Sequence, residues 1–160
     1  MRELHFSQVL PISLEEAWNF FSNPENLKEI TPKYMDFVVE SKYHGSTIYA
    51  GQVIRYTVKP VLGIPMKWCT EITHVEDKSY FVDEQRFGPY SFWHHEHRFT
   101  TIADGVRMDD ILNYKVPMGI LGNIVDQLYI QHQVNSIFQY RKKVLLARFG
   151  NVPSTLKGEL

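Results

Sequence analysis

Trp93-His94-His95-Glu96-His97-Arg98-Phe99 is followed, after Ala103-Asp104-Gly105, by Met108-Asp109-Asp110-Ile111-Leu112-Asn113-Tyr114, and the fold turns on how these two runs pair. Side chains of a β-strand alternate between its faces. Trp93, His95, His97 and Phe99 therefore share one face, and His94, Glu96, Arg98 and Thr100 the other. In the second run Met108, Asp110, Leu112 and Tyr114 alternate with Arg107, Asp109, Asn113 and Lys115. A hairpin closing at Ala103-Asp104 sets Phe99 opposite Met108, His97 opposite Asp110, His95 opposite Leu112 and Trp93 opposite Tyr114. Inward residues meet inward residues in each pair, whereas a slip of one residue would turn them all to water. The hairpin should thus carry an inward His97–Asp110 pair with His95 beside it, and leave His94, Glu96, Arg98 and Asp109 facing solvent.

Upstream, segments 36–42, 50–59, 66–76 and 79–87 read as further strands, punctuated by Gly51, Gly63-Ile64-Pro65, Asp77-Lys78 and Gly88-Pro89. On them Ile54, Tyr56 and Val58 share one face, as do Trp68, Thr70 and Ile72. Phe81 and Phe87 should face inward and bring Asp83 and Gln85 with them, although Val82 on the opposite face blurs that alternation. A first strand, His5 to Ile12, precedes Ser13, which with Glu16 forms a capping-box start for the helix LEEAWNFFS. Asn23-Pro24 interrupts that helix and opens a second short one, PENLKEI, closed by Thr31-Pro32. After Pro117 and Gly119 a long helix runs from about Leu121 to Arg148, with Leu121, Ile124, Val125, Leu128, Val134, Ile137, Phe138, Val144 and Leu145 as its apolar stripe. Strands so close in sequence pair as antiparallel meanders, and only the final helix is long enough to cover their apolar face. The expected architecture is α+β: a curved seven-stranded antiparallel sheet around one long C-terminal helix, with two short helices between the first two strands. Residues 1–149 form one domain in this reading, and 150–160 a loosely ordered tail.

A chain of 160 residues with 44% hydrophobic and 22% charged residues can bury a core of ordinary globular size. Its formal charge of -1 shows no basic stripe for nucleic acid, and Arg141-Lys142-Lys143 reads as a solvated helix face. The lone Cys69 excludes an internal disulfide framework and fits a reducing compartment. No apolar run has the length of a signal core or a bilayer span, so a cytoplasmic protein without stable membrane association is expected.

The inward surface that results is aromatic and apolar with a polar minority: His95, His97, Asp110, Gln85, Asp83 and tyrosine hydroxyls. Such groups must be paired or wetted in an interior. A concave apolar surface with a few convergent polar groups is what a ligand site looks like. The residues expected to line it are Tyr56, Trp68, Phe81, Gln85, Trp93, His95, His97, Phe99, Met108, Asp110, Leu112, Tyr114 and Leu128. His97 held by Asp110 could fix a pocket wall, orient a ligand carbonyl or hydroxyl, or act as a general base. His95-x-His97 with Asp110 opposite is also a two-histidine, one-carboxylate set. That pattern is loose on a strand, HHEHR is not the helical H-E-x-x-H zinc motif, and the expectation is neither metal nor cofactor.

Three runs carry a resemblance: Trp68-x-x-x-Ile72; Phe81-x-Asp83-x-Gln85-x-x-Gly88-Pro89 with Trp93-x-His95-x-His97-x-Phe99; and Met108-x-Asp110-x-x-x-Tyr114-x-x-Pro117-x-Gly119. Together they resemble the START-like helix-grip superfamily, and within it the bacterial polyketide cyclase/dehydrase-like (SRPBCC) ligand-binding branch. The resemblance runs from the first strand to Phe149 and implies a cavity between sheet and long helix for a lipid-, polyketide- or aromatic-like molecule. The alternative is a cyclase or dehydratase acting on such a substrate through a His97–Asp110 acid–base pair. A third possibility is an interaction module whose interior its own side chains fill.

Overall fold

The computed structural model describes residues 1–41, 47–61 and 63–150. Lys42, the end of the expected strand 36–42, and the expected loose tail beyond Gly150 lie outside the described residues. The strands are β1 (Arg2–Leu10), β2 (Val38–Val39), β3 (Gln52–Val61), β4 (Ile64–Glu76), β5 (Tyr80–Phe87), β6 (Phe92–Ile102) and β7 (Gly105–Lys115). They form one antiparallel sheet in the order β1-β7-β6-β5-β4-β3-β2, so every neighbour except β1 is also next in sequence. The β6–β7 register places His97 against Asp110, Phe99 against Met108, His95 against Leu112 and Trp93 against Tyr114. Gly105, with φ of +130°, closes that hairpin against β1, where a Cβ would run into the Leu10 carbonyl.

Between β1 and β2 lie α1 (Leu14–Phe21) and two 3₁₀ turns, Pro24–Lys28 and Lys33–Met35. Ser13 caps α1 by accepting a hydrogen bond from the Glu16 amide at 3.1 Å. Trp18 on α1 plugs one end of the concave face, edge-on to Phe81 and Phe99. The expected second short helix is thus a 3₁₀ turn, because Pro24 and Asn23 start a helical turn that has too few residues to continue.

The C-terminal helix spans 31 residues. It consists of α2 (Gly119–Val125), a π-helical turn (Asp126–Ile130) and α3 (Gln131–Phe149). Its buried stripe is Gly122, Asp126, Ile130, Val134, Phe138, Arg141 and Leu145. Four successive four-residue steps are longer than the 3.6 of a regular helix, and the wide turn at Asp126–Ile130 supplies the difference. That phase shift overturns part of the expected stripe. Leu121, Ile124, Val125 and Leu128 are exposed, Leu128 at 78%. Gly122 takes the inward place, where a Cβ would collide with the Pro117 carbonyl.

Two further expectations change. Phe87 is 66% exposed instead of inward, because the β4–β5 pairing shifts register twice and the end of β5 no longer keeps the phase of Phe81. Of the four hairpin side chains expected to face solvent, only Arg98 is fully exposed; His94, Glu96 and Asp109 are half-buried under ion pairs to Glu84, Arg98 and Arg107.

Candidate functional site

The concave face of the sheet, α1 and α3 enclose a cavity of about 170 Å³. One water needs about 10–15 Å³ of such space, so the cavity has room for on the order of ten non-hydrogen atoms. Its lining is mainly apolar: Ile54, Tyr56, Val58, Trp68, Phe81 and Trp93 from the sheet, and Val134, Ile137 and Phe138 from α3. The aromatic wall is rigid. Trp68 stands edge-on to Trp93 at 5.1 Å between centroids, and stacks on Tyr56 at 5.9 Å. The polar atoms of that wall are bound internally, since Thr70 Oγ1 lies 2.7 Å from Tyr56 Oη and accepts from Trp68 Nε1 at 3.1 Å.

Against this apolar surface sits one polar island made by three adjacent strands. Asp83 comes from β5, His95 and His97 from β6, Asp110 from β7, and Arg141 reaches in from α3. Each carboxylate meets both imidazoles. Asp83 Oδ2 is 2.8 Å from His97 Nε2 and 3.3 Å from His95 Nδ1. Asp110 Oδ1 is 2.9 Å from His95 Nε2 and 2.9 Å from His97 Nδ1, the latter outside hydrogen-bond geometry. Trp93 Nε1 donates to the other Asp83 oxygen at 3.2 Å. Arg141 NH1 donates to Asp110 at 3.2 Å, and its guanidinium lies 4.8 Å over the Phe138 ring. Arg141 is only 9% exposed, so the expected solvated run Arg141-Lys142-Lys143 is corrected at its first member. Its place in the α3 stripe, seven residues after Val134 and four before Leu145, carried the missed signal.

Electrostatics follow from this closed arrangement. Burial alone would raise the Asp110 pKa, but Arg141 and the two imidazoles outweigh it and hold the carboxyl well below its usual range. Asp83 behaves alike: burial opposes the charge, and hydrogen bonds to His95 and His97 carry its pKa below the ordinary value. For His95, desolvation acts downward, while Asp110 and Asp83 together push the net shift upward.

Of the residues expected to line a pocket, Tyr56, Trp68, Phe81, Trp93, His95 and His97 border the cavity. Phe99, Met108, Leu112 and Tyr114 are buried in packing away from it. Asp110 stands behind the wall and, with Met108, borders a second recess near β1 and α3. Gln85 spends its amide on the turn after β5: Nε2 donates to the Tyr90 carbonyl and Oε1 accepts the Tyr90 amide. Leu128 is outside altogether, facing solvent from the π-turn. Residues that strand alternation could not supply are Tyr90, Phe37, Val134 and Arg141, which reach the cavity from a loop or from α3.

A family model described as polyketide cyclase/dehydrase and lipid transport matches residues 10–138. No curated protein matches. Among solved structures, TTHA0849 from Thermus thermophilus is similar at 17% identity and a TM-score of 0.63, covering 92% of this chain and 99% of that one. CV1439 from Chromobacterium violaceum is similar at 14% identity and a TM-score of 0.68, over 94% of this chain and 99% of that one. A START superfamily protein from Mycobacterium smegmatis shares 11% identity at a TM-score of 0.66, over 92% of this chain and 96% of that one.

Proposed function

The chain belongs to the polyketide cyclase/dehydrase and lipid-transport family, and on that premise we propose that it binds a small hydrophobic molecule with at least one polar group in the cavity between sheet and α3. The observation that carries this reading is the composition of the cavity wall. An aromatic and aliphatic surface would bury the body of a ligand, and one island, Asp83-His95-His97, would meet its polar end. Apolar burial contributes roughly 25 cal/mol per Å², so affinity would come from the wall and orientation from the island.

The alternative, a cyclase or dehydratase with His97 as general base, needs a nitrogen lone pair within reach of the substrate. His97 Nε2 is engaged by Asp83, and Nδ1 is sealed against Asp110 with almost no accessible surface. This speaks for binding over proton abstraction by His97. Among the described residues no helix is long and apolar enough to cross a membrane.

The test is native mass spectrometry of the purified protein, before and after organic extraction, together with titration by the apolar fluorophore 1-anilinonaphthalene-8-sulfonate. We expect saturable 1:1 binding in the wild type and its loss in a folded Val134→Trp variant, because Val134 borders the cavity from α3. No saturable binding in the wild type, or binding undiminished by Val134→Trp, would overturn the proposal.

A further inference from the structure

We infer that Asp83, His95 and His97 form a binding site for one divalent transition-metal ion in the cavity wall, with Asp110 as the carboxylate that orients both imidazoles. The set of ligands differs from the one the sequence suggests. Asp110 sits opposite His97 in the register, yet its oxygen contacts the far nitrogens of the rings, His95 Nε2 and His97 Nδ1, each at 2.9 Å. Asp110 is therefore behind the histidines, and Asp83 is in front of them. Asp83 Oδ2 is 2.8 Å from His97 Nε2 and 3.3 Å from His95 Nδ1, and the three donor atoms lie within 4.8 Å of one another. Donors bound to zinc at about 2.0–2.2 Å sit roughly 3–3.5 Å apart, so a small closure of these three atoms onto an ion is all the geometry requires.

Three independent features favour a metal over an ion-pair network alone. First, one acceptor serves both far nitrogens. In the metal-free protein the near nitrogens give their protons to Asp83. An ion displacing those protons would leave His95 with Nε2–H on Asp110, the tautomer that ligation through Nδ1 requires, and His97 Nδ1 2.9 Å from the same oxygen. Second, both carboxylates have outer partners in place. Arg141 holds Asp110 at 3.2 Å, and Trp93 Nε1 holds the second oxygen of Asp83 at 3.2 Å, leaving Oδ2 as a single donor. Third, Asp83, His95 and His97 all border the cavity while Asp110 does not, so the remaining coordination positions open onto the ligand space. Two imidazoles and one carboxylate suit zinc or ferrous iron rather than calcium or magnesium. No other group of three such side chains converges among the described residues.

This inference does not depend on an organic ligand, because it is read with the metal alone. Full-length protein stripped by a chelator is titrated with Zn²⁺ by calorimetry, and the loaded wild type is studied by zinc X-ray absorption. The expected result is one Zn²⁺ per chain, with two imidazole nitrogens and oxygen scattering at about 2.0–2.2 Å. Asp83→Ala and His95→Ala should abolish stoichiometric binding. Asp110→Asn should weaken it by roughly 10–100-fold, the usual effect of losing an orienting partner. His94→Ala, on the opposite face of β6, should leave it unchanged. Substoichiometric uptake by the folded wild type, a zinc spectrum without imidazole scattering, or undiminished binding in a folded His95→Ala variant would each overturn the site. If the alanine variants do not fold, stoichiometry and the wild-type spectrum decide alone. Zinc binding without fluorophore binding would refute the hydrophobic-ligand proposal and leave this one standing; the reverse result would do the opposite.

Discussion

Two buried carboxylates behave differently in this molecule. Asp126, at the start of the π-turn, is saturated: Oδ1 accepts from the Tyr114 hydroxyl at 2.6 Å and Oδ2 from Arg2 Nε at 2.7 Å. These bonds tie the helix to β7 and β1, and Asp126 borders neither the cavity nor the recess beside Asp110. Asp110 gathers three partners, two imidazoles and Arg141, on one oxygen, while Arg141 Nε and His97 Nδ1 are left without hydrogen bonds in a wall that faces open space. Both carboxylates are buried to nearly the same degree. What separates a structural staple from a candidate site here is saturation and access, not depth.

The comparison is sharpest for stability. Asp110→Ala should be the most damaging of the substitutions at these two carboxylates, at about 3–5 kcal/mol, since it leaves Arg141 buried without its carboxylate and both imidazoles with Asp83 alone. Denaturant unfolding measures it, and a loss no larger than that of Asp126→Asn would break the contrast. For Asp126→Asn we expect about 1–2 kcal/mol, because an amide still offers an acceptor and the freed Arg2 can turn to water. Tyr114→Phe should cost about 1 kcal/mol, one hydrogen bond in the staple. By the same unfolding measurement, a loss above that of Asp126→Asn would mean the phenol holds more than the carboxylate.

The two ends of the helix provide the remaining test. Leu145→Ala, in the fully buried part of α3, should cost about 2–5 kcal/mol. Leu128→Ser, in the exposed part, should change stability by less than about 0.5 kcal/mol. Thermal melts of the pair would show whether the large apolar side chains of the helix are buried only from Ile130 onward; a comparable loss for Leu128→Ser would place that side chain against something in solution.

Much of the site was legible in the hairpin because strand alternation has a period of exactly two residues, and one slip would expose every inward side chain. The same rule was weaker on β5, where a register shift between Gln85 and Phe87 separates Asp83, which turns inward, from Phe87, which does not. It could say nothing about what approaches the wall from across the cavity. Arg141 and Val134 come from a helix separated from β6 by the whole of β7, and Tyr90 comes from a loop.

By itself, the sequence determined the order of elements, the antiparallel sheet with its long covering helix, and the pairing of His97 with Asp110, because each rests on local periodicity and turn chemistry. Only the tertiary structure decided which carboxylate stands before the histidines and which behind. It also decided that an arginine in a basic run is buried, and that a π-turn rotates the first third of the helical stripe into solvent. Those outcomes depend on distances between elements far apart in sequence, and a one-dimensional pattern has no measure of such distances.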